Sequence, residues 1–133
     1  MAISLDKAFG LHPIGMEVRA KRAEIIASNI ANADTPGYKA RGMDFQKAMA
    51  QATQHQQSGM KRTHEKHFDV RIESNNGMNF RVPNQADTGD GNTVDVQLER
   101  NLYLNNSMEY QASVQFLSGK IKAMKKAITG TGQ

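Results

Sequence analysis

The last third of the chain carries the most regular hydrophobic pattern. Apolar positions recur there every seven residues along two offset series, which is the repeat of a coiled-coil seam. The seam consists of Val96, Tyr103, Tyr110, Val114, Leu117, Ile121, Met124 and Ile128. No proline interrupts it, and Asn92 is the predicted cap, with Asp95 three residues later as in a capping box. The pattern predicts a helix over residues 92–129, roughly 55 Å long at about 1.5 Å per residue.

Apolar and small residues recur at steps of three and four through the first third of the chain, giving a broad apolar helical face. Pro13 suits the first turn of a helix but not its interior. Thr35 precedes Pro36, and a residue before proline is pushed out of helical backbone geometry. A helix over residues 13–34 is therefore predicted, followed by a turn at Pro36 and Gly37.

The middle of the chain, residues 35–91, has no comparable periodicity. Residues 44–57 are polar with a few apolar positions at helical spacing, which predicts a short, weak helix. Farther on, apolar residues alternate with polar ones on both sides of an Asn-Asn-Gly turn at residues 75–77, and they are Phe68, Val70, Ile72, Phe80 and Val82. This pattern predicts a small β-hairpin within an otherwise irregular segment.

These elements predict a mainly α fold in which residues 1–133 form one domain. The simplest packing places the two long terminal helices side by side as an antiparallel, coiled-coil-like pair. Hydrophobic residues make up 38% of the 133 residues, against about 45–50% in typical globular domains. The C-terminal helix is also too long for the rest of the chain to cover. Part of its apolar surface is therefore predicted to contact neighbouring subunits.

Composition argues against several functional classes. The chain has no cysteine, which excludes disulfides and thiolate metal sites, and its net charge of +4 is mild. Aromatic residues are not interleaved with its basic clusters, as binding of single-stranded nucleic acid would require. The sequence shows neither a secretory signal nor an apolar run long enough for a membrane span. No catalytic constellation is present, so we predict a protein that is not an enzyme and has no cofactor.

Two groups of side chains raise the question of a metal. His64 and His67 are spaced for chelation on a helical turn, but no third ligand accompanies them. The second group is Asp87, Asp90, Asn92 and Asp95, whose spacing departs from the EF-hand pattern. A turn and a helix cap account for the second group, and polar loop positions account for the histidines, so no metal site is predicted.

Two stretches at opposite ends of the middle segment carry a family resemblance. Residues 28–39 read Ser-Asn-Ile-Ala-Asn-Ala-Asp-Thr-Pro-Gly-Tyr-Lys and resemble the N-terminal signature of the bacterial flagellar rod and hook family. The signature positions are Ser28, Asn29, Ile30, Asn32, Thr35, Pro36, Gly37 and Tyr38. A second stretch, Asp90, Gly91, Asn92, Thr93, Val94 and Asp95, resembles the motif that begins the C-terminal helix in short, membrane-proximal rod members.

The resemblance implies a structural subunit of the periplasmic rod in the flagellar basal body. Such subunits are exported without cleavage by the flagellar type III apparatus, polymerise through their terminal helices and transmit torque for motility. The implied partners are further copies of the chain, the export apparatus and the rod proteins FlgC, FlgF, FlgG and FliE-like members, with no nucleic acid and no small-molecule substrate.

Two questions stay open on the sequence alone. Asn29 and Asn32 could cap the first helix or form hydrogen bonds between subunits. The same helical seam could also serve a helical adaptor or a basic surface-binding protein that forms a closed dimer.

Overall fold

The computed structural model describes residues 8–57, 77–83 and 89–130. Its elements in chain order are α1 (His12–Ala31), β1 (Arg41–Met43), α2 (Phe45–Gln57), β2 (Met78–Phe80) and α3 (Val96–Thr129). The two terminal helices dominate, and a small antiparallel sheet lies between them in the chain. This architecture confirms the predicted fold class.

Helix α1 is bounded by the signals that the sequence provides. Pro13 lies in its first turn, where the missing N–H removes no intrahelical hydrogen bond. The helix ends at Ala31, and Asn32 is its C-cap residue. With 20 residues, α1 is about 30 Å long.

Helix α3 has 34 residues and a length of about 51 Å. Its N-cap is Asp95, whose carboxylate accepts hydrogen bonds from the backbone N–H groups of Gln97 and Leu98. The prediction that Asn92 caps this helix is therefore wrong. The side chain of Asn92 is directed to carbonyl groups at the end of α1 instead.

The terminal helices pack against each other in antiparallel orientation. Asn29, near the end of α1, contacts Glu99 in the first turn of α3, whereas Arg19, earlier in α1, contacts Asn106 and Glu109. Because α3 is 14 residues longer than α1 (34 against 20), it extends about 20 Å farther than α1 along their common direction.

The sheet joins two short strands that are distant in the sequence. Strand β2 pairs with β1 in antiparallel register, with Arg41 opposite Phe80 and Met43 opposite Met78. The strand predicted around Phe80 is therefore present, and its partner in the described residues is β1. The other half of the predicted hairpin, residues 68–72, lies outside the described residues.

Helix α2 packs against the start of α1, and the two helices form an apolar cluster. Ile14, Val18 and Ala48 are buried there, and Phe45 and Met49 pack against them. Asp44 caps α2 by accepting hydrogen bonds from the N–H groups of residues 46 and 47. The weak helix predicted for residues 44–57 is thus confirmed, and it holds the N-terminal half of α1.

None of the helices in the described ranges is both long and apolar enough to span a membrane.

Candidate assembly site

The two stretches that carry the family resemblance meet in space. We call the region where they meet the helix junction and define it as residues 28–41 together with residues 90–99. Backbone hydrogen bonds join the two stretches, from the N–H of Gly37 to the oxygen of Asp90 (2.9 Å) and from the N–H of Thr93 to the oxygen of Tyr38 (3.1 Å). The hydroxyl of Thr93 accepts a further hydrogen bond from the N–H of Ala40 (2.8 Å).

Asn92 holds the turn that follows α1 from across the junction. Its amide nitrogen lies 3.1, 2.7 and 2.9 Å from the carbonyl oxygens of Asn32, Ala33 and Thr35. These oxygens belong to the C-cap residue of α1 and to the turn that follows it, and a backbone carbonyl oxygen has two lone pairs that can accept donors from elsewhere. The Asn92 side chain supplies them, while its Oδ1 accepts a hydrogen bond from the N–H of Val94 (2.8 Å).

Asn29 is fully buried and uses its whole hydrogen-bonding capacity inside the subunit. Its Nδ2 donates to the backbone oxygen of Arg41 (2.7 Å) and to Oε1 of Glu99 (3.2 Å). Its Oδ1 accepts from the backbone N–H of Arg41 (3.0 Å) and from the Tyr38 hydroxyl (3.3 Å). Two donors and two acceptors are the full complement of an asparagine side chain. The geometry therefore leaves this residue no hydrogen bond for a neighbouring subunit.

Glu99 connects the junction to the middle segment. Its side chain is 1% exposed, and Oε1 accepts a hydrogen bond of 2.6 Å from Nη1 of Arg81, which is 28% exposed. The backbone N–H of Arg81 also donates to the oxygen of Ala40 (2.9 Å). A carboxylate in the first turn of a helix is favoured by the helix dipole, and a buried carboxylate needs a paired cation. Arg81 supplies that cation and holds residues 77–83 against the terminal helices.

The remaining polar residues of the N-terminal signature shape the end of α1. The amide of Asn32 donates to the carbonyl oxygen of Ser28 (2.8 Å), and the Thr35 hydroxyl donates to Oδ1 of Asn32 (3.3 Å). The hydroxyls of Ser28 and Tyr38 are 3.3 Å apart. These contacts support the capping interpretation for Asn32. Gly37 has a φ of +72°, a left-handed conformation that glycine adopts without strain.

The heptad seam of α3 lies beside the contact with α1 and is largely exposed. The face of α3 that meets α1 contains Glu99 and Asn106, and the Asn106 amide donates to the backbone oxygen of Arg19 (3.0 Å). Five of the eight seam residues are 37–86% exposed, and they are Tyr103, Tyr110, Val114, Ile121 and Ile128. Val96, Leu117 and Met124 are half-buried. The contact between the terminal helices is therefore centred on polar residues, and most of the apolar seam remains accessible.

Comparison with known proteins shows the family to which the chain belongs. Residues 15–39, which include most of α1 and the N-terminal signature, match the family described as flagella basal body rod protein. Over 130 residues the chain is 52% identical to the flagellar basal body rod protein FlgB of Aeromonas hydrophila, with 98% of each chain covered. The chain belongs to the FlgB family. It is a structural rod component of the flagellar basal body.

Two other FlgB proteins show how far this likeness extends. FlgB of Escherichia coli strain K12 is 36% identical over 135 residues, covering 96% of this chain and 97% of that protein. FlgB of Yersinia ruckeri is 39% identical over 136 residues, covering 96% and 98%. In each case the likeness covers nearly the whole FlgB chain, including the middle segment and α3. The resemblance to the flagellar rod family is confirmed.

The oxygen-rich group considered as a metal site has a structural role in this FlgB-family chain. Oδ1 of Asp90 accepts a hydrogen bond from the N–H of Asn92 (2.9 Å), and Asp95 caps α3. Asp87, His64 and His67 lie outside the described residues. Among the residues that are described, no three His, Cys, Asp or Glu side chains are grouped as metal ligands would be.

Three residues with structural roles in this FlgB-family chain were not singled out from the sequence, and they are Glu99, Asn106 and Arg81. Glu99 looks like an ordinary acidic residue in a first helical turn, Asn106 like a polar surface position, and Arg81 like part of a loop. One available signal was the position of Glu99 and Asn106, since both interrupt the apolar pattern of α3 on one face, seven residues apart. Polar residues at that spacing can mark a buried polar contact within a helical face.

Proposed function

We propose that this FlgB-family chain builds the proximal part of the rod by polymerising through the exposed seam of α3. The observation that carries the proposal is the separation of roles along α3. Glu99 and Asn106 hold the helix inside the subunit, whereas Tyr103, Tyr110, Val114, Ile121 and Ile128 present an apolar stripe outward. An exposed apolar stripe of this length is typical of a surface that becomes buried in an assembly.

Helix α3 offers surfaces on two sides, as an open assembly requires. Phe116 (67% exposed) lies on the side of the Glu99–Asn106 line opposite the seam, given about 100° of rotation per residue. A subunit with different surfaces on two sides can contact a neighbour on each side. Heterologous contacts of this kind generate helical filaments when they do not close into a ring. This arrangement favours a rod subunit over a closed dimer.

The helix junction suits a subunit that carries load. Asn29, Asn92 and Glu99 are buried and tie α1, the turn after it, β1 and the start of α3 into one unit. Torque applied to α3 would therefore reach α1 through directed hydrogen bonds as well as through apolar packing. Since these buried polar groups serve internal contacts, we assign the chain a structural role and no catalytic one.

Family membership supports the rest of the proposal. We place the chain in the periplasmic rod, reached by flagellar type III export without a cleaved signal peptide. Its partners are further copies of itself, the export apparatus and the rod proteins FlgC, FlgF, FlgG and FliE-like members. The exposed lysines of α3 are solvated surface in this account, with no role in binding nucleic acid.

A pair of charge substitutions on α3 tests the proposal. Val114 belongs to the seam and Gln115 is the next residue on the exposed side, so Val114→Asp and Gln115→Asp make the same charge change one position apart. Each variant is expressed in a strain that lacks the native gene. We expect Gln115→Asp to restore swimming and Val114→Asp to leave cells non-motile with basal bodies that lack a rod.

Circular dichroism of the purified variants serves as the control, because Val114 is already 37% exposed and its substitution should preserve the subunit fold. Normal rods with a folded Val114→Asp subunit would contradict assembly through the seam. A discrete dimer of the wild-type chain at every concentration in light scattering would favour the closed-dimer alternative.

A further inference from the structure

A groove of about 480 Å³ lies between α1, the sheet and the first two turns of α3. Its apolar surface includes Phe80, Val82, Leu98 and Leu102. Phe80 is 71% exposed and Val82 is 84% exposed, which is unusual for two large apolar residues that line one groove. This surface lies beside the start of α3, away from the seam that continues to Ile128.

The rim of the groove is basic. Arg22, Arg41 and Arg81 all line it, and Arg81 is already paired with Glu99. Within the described part of the chain, the guanidinium groups of Arg22 and Arg41 form no ion pair. The charge on this rim is therefore not balanced by those neighbours.

Asp44 is the acidic residue that lines the groove, and it serves another element. Its Oδ1 accepts two hydrogen bonds from the start of α2, and its Oδ2 lies 3.9 Å from Nζ of Lys47. It is therefore poorly placed to neutralise the arginines. An apolar groove with unbalanced arginines at its rim is complementary to a ligand that carries both an apolar side chain and carboxylates.

We infer that this groove binds a short acidic, amphipathic segment of another protein. A bulky apolar side chain of that segment lies against Phe80 and Leu98, and its carboxylates pair with Arg22 and Arg41. This inference rests on the proposed function, which places the chain in the rod beside other proteins. It goes further by naming the chemistry of one of those partners. It uses a different surface from polymerisation through the seam, so either idea can fail alone.

A second copy of the chain fits the groove less well. In the described part of α3, bulky exposed residues near its free end, such as Phe116, Ile121 and Ile128, are accompanied by Lys120, Lys122, Lys125 and Lys126. Those lysines would face arginines. Like charges brought together at an interface cost binding energy and disfavour the wrong partner.

The test uses two labelled synthetic peptides of 14 residues, one with leucine and glutamate in a helical amphipathic pattern and one with lysine replacing every glutamate. Fluorescence anisotropy measures their binding to the full chain at moderate salt. We expect the acidic peptide to bind and the basic peptide not to bind. The double variant Arg22→Glu/Arg41→Glu should bind the acidic peptide at least about tenfold more weakly than the wild-type chain does, and it should now bind the basic peptide.

The matched control is Arg100→Glu/Lys122→Glu, which makes the same charge change at exposed α3 positions outside the groove. This control should bind the acidic peptide with the affinity of the wild-type chain. Val114→Asp should do the same, because the seam is not part of the groove. Phe80→Ser should weaken binding of the acidic peptide, and this substitution leaves the overall charge of the chain unchanged.

Three outcomes would overturn the inference. The first is an acidic peptide that fails to bind the wild-type chain or binds both double variants equally. The second is equal binding of the acidic and basic peptides by the wild-type chain. The third is displacement of the acidic peptide by phosphatidylserine vesicles, which would identify the groove as a lipid surface, or a bound fraction of the peptide that falls as the chain concentration is raised, which would identify it as a self-association surface.

Discussion

Replacing Asn29 by alanine should destabilise the subunit more than any exposed substitution on the same helices. The change removes four hydrogen bonds at a site with no solvent exposure and leaves the backbone N–H and oxygen of Arg41 without their partner. A hydrogen bond contributes about 0.5–1.5 kcal/mol net, and a buried group left unpaired costs about 1–3 kcal/mol.

The four contributions do not simply add. The Tyr38 hydroxyl can turn to water, and Oε1 of Glu99 keeps its hydrogen bond to Arg81. We therefore expect a loss of about 2–4 kcal/mol, a large part of the about 5–15 kcal/mol that stabilises a typical domain. Urea unfolding followed by circular dichroism measures it. With an m-value of about 1–3 kcal/mol per molar urea, the midpoint should fall by at least about 0.7 M.

Two further substitutions make the measurement specific. Asn105→Ala removes an exposed asparagine of α3 and should change stability by no more than about 0.5 kcal/mol. Asn29→Asp keeps the shape of the side chain but places a buried carboxylate about where Nδ2 lies, 3.2 Å from Oε1 of Glu99. Because like charges repel strongly when they are buried, Asn29→Asp should lower the free energy of unfolding more than Asn29→Ala does at neutral pH. If Asn29→Ala unfolds at the same urea concentration as Asn105→Ala, the junction does not depend on Asn29 as argued here.

Other substitutions probe the ion pair, the helix cap and the glycines in the same urea assay. Arg81→Ala leaves Glu99 buried without its cation and should cost about 3 kcal/mol, and a small loss would show that Glu99 is stabilised in another way. Asp95→Ala removes the N-cap of α3 and should cost about 1 kcal/mol, so an unchanged midpoint would argue against that cap. Gly119 lies in a helix with open space where a Cβ would be, so Gly119→Ala should stabilise the subunit by about 0.5–1 kcal/mol. Gly91 has a φ of +73°, which strains any residue with a Cβ, so Gly91→Ala should destabilise the subunit by about 1 kcal/mol. Equal changes in stability for the two glycine substitutions would contradict the different backbone conformations described for Gly119 and Gly91.

Much of the helical framework is predictable because its signals are local. Pro13 and Pro36 bracket α1 through steric effects on their own backbone, and these effects do not depend on the rest of the fold. The unbroken apolar repeat of α3 likewise predicts a helix. Together with the residues of the N-terminal signature, these signals indicate the fold class and the family.

The partners of individual side chains are less predictable, because they depend on contacts between distant parts of the chain. Asparagine often caps helices, but the side chain of Asn92 holds the turn after α1, and Asp95 caps α3. Nothing near Asn92 in the sequence distinguishes the two possibilities. In the same way, the alternation around Phe80 predicts a strand without indicating that β1 is its partner.

The heptad seam shows a related limit. The spacing of Tyr103, Tyr110 and Val114 predicts a buried apolar stripe, and in the subunit this stripe is largely exposed. Periodicity identifies which side chains share a face but not which molecule covers that face. The polar pair Glu99 and Asn106 occupies the intramolecular contact, so the apolar stripe remains for contacts between subunits.

The most direct test of assembly through the seam compares the free subunit with isolated basal bodies. The chain has no cysteine, so Tyr110→Cys and Gln115→Cys each introduce a single reactive thiol, in the seam and outside it. We expect maleimide to label both thiols readily in the free subunit and to label Cys at position 110 far more slowly in basal bodies, by at least about a hundredfold. Equal labelling rates at position 110 in the free subunit and in basal bodies would contradict assembly through the seam of α3.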